Sequence, residues 1–178
     1  MISASPATET ARDHASQRAH CGTKIEWTSD LKYHLPKPDP NVWTLAKQLG
    51  LTSVRAVVDE AWPLVLEAER RESVLGGLEE IGIVLVSDRR IAALHEEFMS
   101  DPSPTDVITF LHGEIVLSAE TARREARRRS LRVPEEIARY AVHGLLHLAG
   151  WFDTDAGAAA EMRAAQEKIL RRALRVLC

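Results

Sequence analysis

A chain of 178 residues with 45% hydrophobic side chains is long enough to fold as one domain with a real core. No apolar run reaches the length of a membrane span, and two cysteines, Cys21 and Cys178, are too few for a disulfide framework, so a reducing, cytoplasmic setting is expected. Set against 26 acidic residues, 23 basic ones leave a net charge of −3, which excludes a chain that holds nucleic acid by overall charge alone.

Residues 1–30 are rich in Ala, Ser and Thr and lack the apolar segment of a secretory signal. They read as a mobile extension ahead of a single domain over 31–178, with Lys24 to Trp27 as a candidate edge strand. His14, His20 and Cys21 fit no metal-ligand spacing. Helices are predicted over Asn41 to Gln48, closed by Gly50, and over Val54 to Arg70, where Val57, Val58, Ala61, Leu64, Val65 and Ala68 share a face and Pro63 interrupts. Ile81 to Val86 is an apolar, β-branched strand, and Ser87 caps a helix from Asp88 to Phe98. Two prolines make Asp101-Pro102-Ser103-Pro104 a loop. Thr105 to Phe110 and Glu114 to Leu117 are strands whose short link, Leu111-His112-Gly113, makes them antiparallel. Asp106 reads as a strand-end residue and His112 as a turn residue.

Ser118 caps an arginine-rich helix ending near Ser130. Arg123, Arg124, Arg127, Arg128, Arg129 and Arg132 fall within ten residues, with Glu125 the sole acid among them, which describes either a solvated face or a phosphate-binding one. A further helix runs from Pro134 to Ala149, and a last one carries Met162, Ala165, Ile169 and Leu170 on one side. Four strands among these helices predict an α+β fold, a small mixed four-stranded sheet with helices packed on it, and the chemistry on a central helix.

That helix holds His143 and His147, one turn apart, followed by Gly150 as a left-handed stop and Asp153 beyond it. Ile137, Ala138, Ala141, Val142, Leu145, Leu148 and Ala149 form its apolar stripe, which leaves both histidines and Tyr140 on the other side. The residues alone describe either two incidental surface histidines or a metal site with His143, His147 and Asp153 as ligands; Asp155 competes for the third place. A zinc peptidase helix places Glu directly after its first histidine, and here that residue is Gly144.

The run from His143 to Asp153 resembles the hallmark His-Gly-x-Leu-His-Leu-x-Gly-Tyr-Asp-His of the YbeY family of metal-dependent endoribonucleases, the bacterial rRNA maturation factors. Pro104-Thr105-Asp106-Val107-Ile108-Thr109-Phe110 is similar to the family's Pro-Thr-Asp-Val-Leu-Ser-Phe, and Gly113-Glu114-Ile115-Val116 to its Gly-Asp-Ile-Val. Glu161-Met162 with Gln166-Glu167-Lys168-Ile169-Leu170 matches the usual last helix, so the likeness covers about Val54 to Leu170. The resemblance implies one divalent metal ion, zinc first, held by His143, His147 and Asp153, with the two histidines as catalytic residues. It implies cleavage of single-stranded RNA in rRNA processing and ribosome maturation, near the small ribosomal subunit, with Arg123, Arg124, Arg127 and Arg128 on the RNA backbone. Asp153 stands where the family has its third histidine, Met99 where it has an arginine, and the loop from Phe110 to Gly113 is shorter than usual. Both substitutions imply slower cleavage, or an RNA-associated factor that keeps only fold and metal.

Overall fold

The computed structural model describes residues 23–28 and 50–177; the helix expected over Asn41 to Gln48 lies outside them. Four strands form one mixed sheet in the order β1-β2-β4-β3: β1 (Lys24–Thr28), β2 (Glu80–Val86), β3 (Val107–Phe110) and β4 (Glu114–Ser118). β1 runs parallel to β2 and β2 to β4, whereas β3 pairs antiparallel with β4 across the tight Leu111-His112-Gly113 turn. The fold is therefore α+β, with Lys24–Thr28 as an edge strand.

Five α-helices accompany the sheet among the described residues: α1 (Leu51–Glu67), α2 (Asp88–Met99), α3 (Ala119–Arg129), α4 (Val133–Leu148) and α5 (Ala156–Ala173). Ser87 and Ser118 accept hydrogen bonds from the Arg90 and Thr121 backbone N–H groups, capping α2 and α3 as their sequences require. α1 starts three residues ahead of the predicted Val54, because Gly50 takes a left-handed turn (φ 69°) that lets the helix begin at once. β3 starts at Val107, two residues late, since the Asp106 carboxylate accepts from the Val107 N–H and the Thr105 hydroxyl and ends the preceding loop.

Alternation along β2 sends Ile81 and Ile83 to one face and Val84 and Val86 to the other. The first face joins Ile115 and Leu117 under α1, α4 and α5. The second, with Ile108 and Val116, is covered by Ile91 and Leu94 of α2. Both faces of the central strands are buried, so these strands read as unbroken apolar runs.

α4 lies at the centre, against the β3–β4 pair and α1, α3 and α5. Its position corrects the expected single apolar stripe. From Glu136 to Gly150 every residue is buried except Arg139, His143 and His147, which form one line at four-residue spacing. Tyr140, expected beside the histidines on the open side, is 3% exposed and part of the core. Amphipathic reading assumes one covered side, and this helix is covered on nearly all of them.

Candidate metal centre

Gly144 brings α4 close to the sheet. A Cβ there would lie 2.6 Å from Cγ2 of Ile115 and 2.9 Å from Oγ1 of Thr109, so no side chain fits without pushing these packed strand side chains aside. Position 144 therefore faces β3 and β4 and not the histidines, and a glutamate there would have no room to serve them. At the other end of the site, Gly150 adopts φ 84°, and its Cβ would meet the Ser73 backbone nitrogen at 2.6 Å. This turn closes α4, with the Trp151 N–H bonded to the Leu146 carbonyl, and sends the chain back toward His147.

Nε2 of His143 and Nε2 of His147 stand 3.1 Å apart, with the rings edge to face. Asp153 Oδ2 lies 3.8 Å from the first and 4.0 Å from the second, so one atom from each residue falls within a 4.8 Å cluster. The histidine side chains are about a quarter exposed and that of Asp153 about half, which leaves one side of the cluster open to solvent. Asp155 is committed elsewhere: its carboxylate caps α5 by accepting from the Gly157 and Ala158 N–H groups.

Each imidazole is steered from behind. His147 Nδ1 donates to the Trp151 carbonyl at 3.0 Å, and Trp151 is itself fixed by its indole N–H on the Ala68 carbonyl and by the Arg70 guanidinium 3.5 Å above its ring. His143 Nδ1 lies 3.1 Å from Oε1 of Gln166 on α5. Burial, and then the neighbouring His143, hold the His147 pKa below its ordinary value, outweighing the bond to Trp151 and the charge of Asp153. The ring is neutral at neutral pH and offers a lone pair at Nε2.

These observations fit a bound cation. Ligand atoms about 2.0–2.1 Å from a tetrahedral zinc lie roughly 3.4 Å from one another, close to the spacing of the two Nε2 atoms and a small carboxylate movement from that of Asp153. When both rings carry their hydrogen on Nδ1, as the Trp151 carbonyl requires of His147, two lone pairs and a carboxylate face one point. That crowding is what a divalent cation relieves.

Trp151 and Gln166 were missed in the sequence. Gln166 had a signal, as the one amide on the buried face of the last helix with Met162, Ile169 and Leu170; Ala165, expected on that face, is only half-buried. Trp151 acts through its backbone, which no side-chain pattern reveals. Met99 ends α2 and is 56% exposed, offering no charge. His112 stacks on Phe110 and lies 3.6 Å from the Glu114 carboxylate, in the hairpin turn.

The arginines divide into two groups. Arg124 is bonded to Asp88, whose carboxylate also accepts from Ser118 and Thr121, and Arg128 is bonded to Glu125. Burial works against the Asp88 charge, but those bonds and Arg124 outweigh it and hold its pKa below the usual carboxylate value. Arg123 and Arg127, exposed like Arg124 and Arg128, form no ion pair with a described residue. Arg129 reaches Glu136 on α4 at 3.6 Å, two helical turns before His143, and Arg139 lies 3.4 Å from the same acid and bonds Glu167.

A family model described as endoribonuclease YbeY matches residues 45–174. An endoribonuclease YbeY from Anaeromyxobacter sp. is 42% identical over 104 residues, 53% of this chain and 54% of the relative. Another from Heliobacterium modesticaldum is 31% identical over 144 residues, 64% of this chain and 84% of the relative. The chain thus spans about half the length of the Anaeromyxobacter relative and most of the Heliobacterium one. The solution structure of a Thermotoga maritima protein aligns with 22% identity and a TM-score of 0.49, covering 85% of this chain and 88% of that one.

Proposed function

Because the chain belongs to the YbeY family, we propose that it is a metal-dependent endoribonuclease that cuts single-stranded RNA, with ribosomal RNA as substrate and the small ribosomal subunit as its setting. The observation that supports this most is the meeting of His143, His147 and Asp153 at one solvent-open point. Two imidazoles and a carboxylate favour zinc among divalent metals. A cation held there supplies Lewis-acid polarisation of the scissile phosphodiester.

The remaining work falls to the chain. The Trp151 carbonyl and Gln166 aim the two Nε2 atoms; Gly144 seats the helix; Arg123 and Arg127, exposed on α3, are free to meet RNA phosphates. Asp153 adds a negative charge to the centre, which weakens its pull on electrons. By the resemblance, Met99 stands where the family carries an arginine, and its thioether brings no charge to a transition state. Both lower the rate, and the two departures, Met99 and Asp153, support a second reading, an RNA-associated factor that keeps fold and metal but cuts weakly.

Incubation of the purified protein with single-stranded and duplex RNA, before and after chelation and zinc return, tests the proposal. Cleavage of the single strand that follows zinc and is absent from a His143→Ala, His147→Ala variant is the expected result. RNA binding without cleavage supports the second reading. Equal cleavage by the double variant overturns the assignment of the site.

A further inference from the structure

Each imidazole of the centre has one partner at Nδ1, and the two partners differ in kind. A backbone carbonyl only accepts, so the Trp151 oxygen holds the His147 hydrogen on Nδ1 and leaves Nε2 as a lone pair. An amide either accepts or donates. Gln166, 6% exposed, turns one end of such an amide to His143 Nδ1 at 3.1 Å.

We propose that Gln166 is a positioning residue whose amide, by turning over, switches His143 between a tautomer that closes the histidine pair on itself and one that opens it to a divalent cation. The inference rests on the metal reading given above. With the NH2 group toward Nδ1, the His143 hydrogen sits on Nε2 and donates across 3.1 Å to His147 Nε2, and both rings are satisfied with no cation. With Oε1 toward Nδ1, as in the structure, the hydrogen moves to Nδ1 and both Nε2 lone pairs face Asp153 Oδ2 across 3.8 and 4.0 Å. Only the second arrangement is a ligand set. A carboxylate at position 166 accepts only, and so selects the open form; an aliphatic side chain selects neither.

Nitrogen-15 NMR of the histidine side chains, on the full chain without metal and then with zinc, reads the tautomers directly. In the metal-free wild type His147 carries its hydrogen on Nδ1 and His143 on Nε2, and zinc moves the His143 hydrogen to Nδ1. Gln166→Glu shows the Nδ1 hydrogen on His143 before zinc is added and binds zinc at least as tightly as wild type. Gln166→Leu, with its folding checked by circular dichroism, binds zinc about 10–100-fold more weakly. A wild-type His143 that keeps its hydrogen on Nδ1 with and without zinc overturns the switch, and so does a folded Gln166→Leu with wild-type zinc affinity. Failure of the wild type to bind zinc at all overturns the metal reading instead, while the metal-free tautomers of wild type and Gln166→Glu still decide the role of Gln166.

Discussion

In the first turns of α4 Glu136 is fully buried, yet Arg129 lies 3.6 Å and Arg139 3.4 Å from its oxygens. Two turns further along the same helix, His143 and His147 meet Asp153 with their Nε2 atoms 3.1 Å apart. The first cluster brings its own cations from α3 and α4. The second gathers donors only, and its side chains are partly open to solvent. The difference is chemical: the chain itself neutralises the buried acid, whereas the converging lone pairs of the second cluster meet no cation from the chain, which is the arrangement the proposed metal would complete.

Breaking the open cluster has the largest expected effect. Asp153→Ala should lower zinc affinity by about a hundredfold or more in a competition titration, whereas Asp155→Ala should leave affinity intact and cost about 1 kcal/mol of stability as a lost helix cap. Loss of metal with Asp155→Ala alone would move the third ligand two residues on.

Breaking the closed cluster should cost stability and spare the metal. Glu136→Ala is expected to lose about 2 kcal/mol in urea unfolding, less than the roughly 3–5 kcal/mol of a fully enclosed ion pair. The discount follows from Arg129, whose side chain is 42% exposed, and from Arg139, which keeps Glu167.

The pH dependence sharpens the same point. Burial raises the Glu136 pKa above its ordinary 4.5, with Arg129 and Arg139 opposing, so the folded chain holds this proton more tightly than the unfolded one. Its contribution is therefore complete below pH 4.5 and is lost as pH rises through the folded value. Glu136→Gln should remove that fall, and urea midpoints of the two proteins over this range should converge or cross as pH rises. A constant difference would show that the arginines fully offset burial.

The smallest effect concerns RNA. Reversing the charge of Arg123 and Arg127 should reduce the slope of log affinity against log salt by about 1–1.5, at roughly 0.7 per phosphate contact. Reversing Arg124 and Arg128, which are paired with Asp88 and Glu125, should change the slope less and stability more.

Much of this was legible because it is local. Serine caps, the left-handed Gly150, the hairpin at Leu111-His112-Gly113 and the four-residue spacing of the histidines are short-range signals that survive in any tertiary setting. The burial of Tyr140 was not, since it depends on how many neighbours surround α4. Gln166 and Trp151 reach the histidines from 23 residues along the chain and from a backbone atom respectively, and only the packing of α5 and the turn after Gly150 brings them there. The pairing of Arg124 with Asp88 spans 36 residues, which is why a run of arginines read as one basic face divides in the fold into members paired with acids and members with no ion pair to a described residue.

Zinc content and affinity of the metal-stripped full chain, measured beside the His143→Ala, His147→Ala variant, test most directly whether this cluster is a cation site. One zinc per wild-type chain, lost in a variant that remains folded, is the expected result. Equal zinc in both proteins, or none in either, would contradict the site.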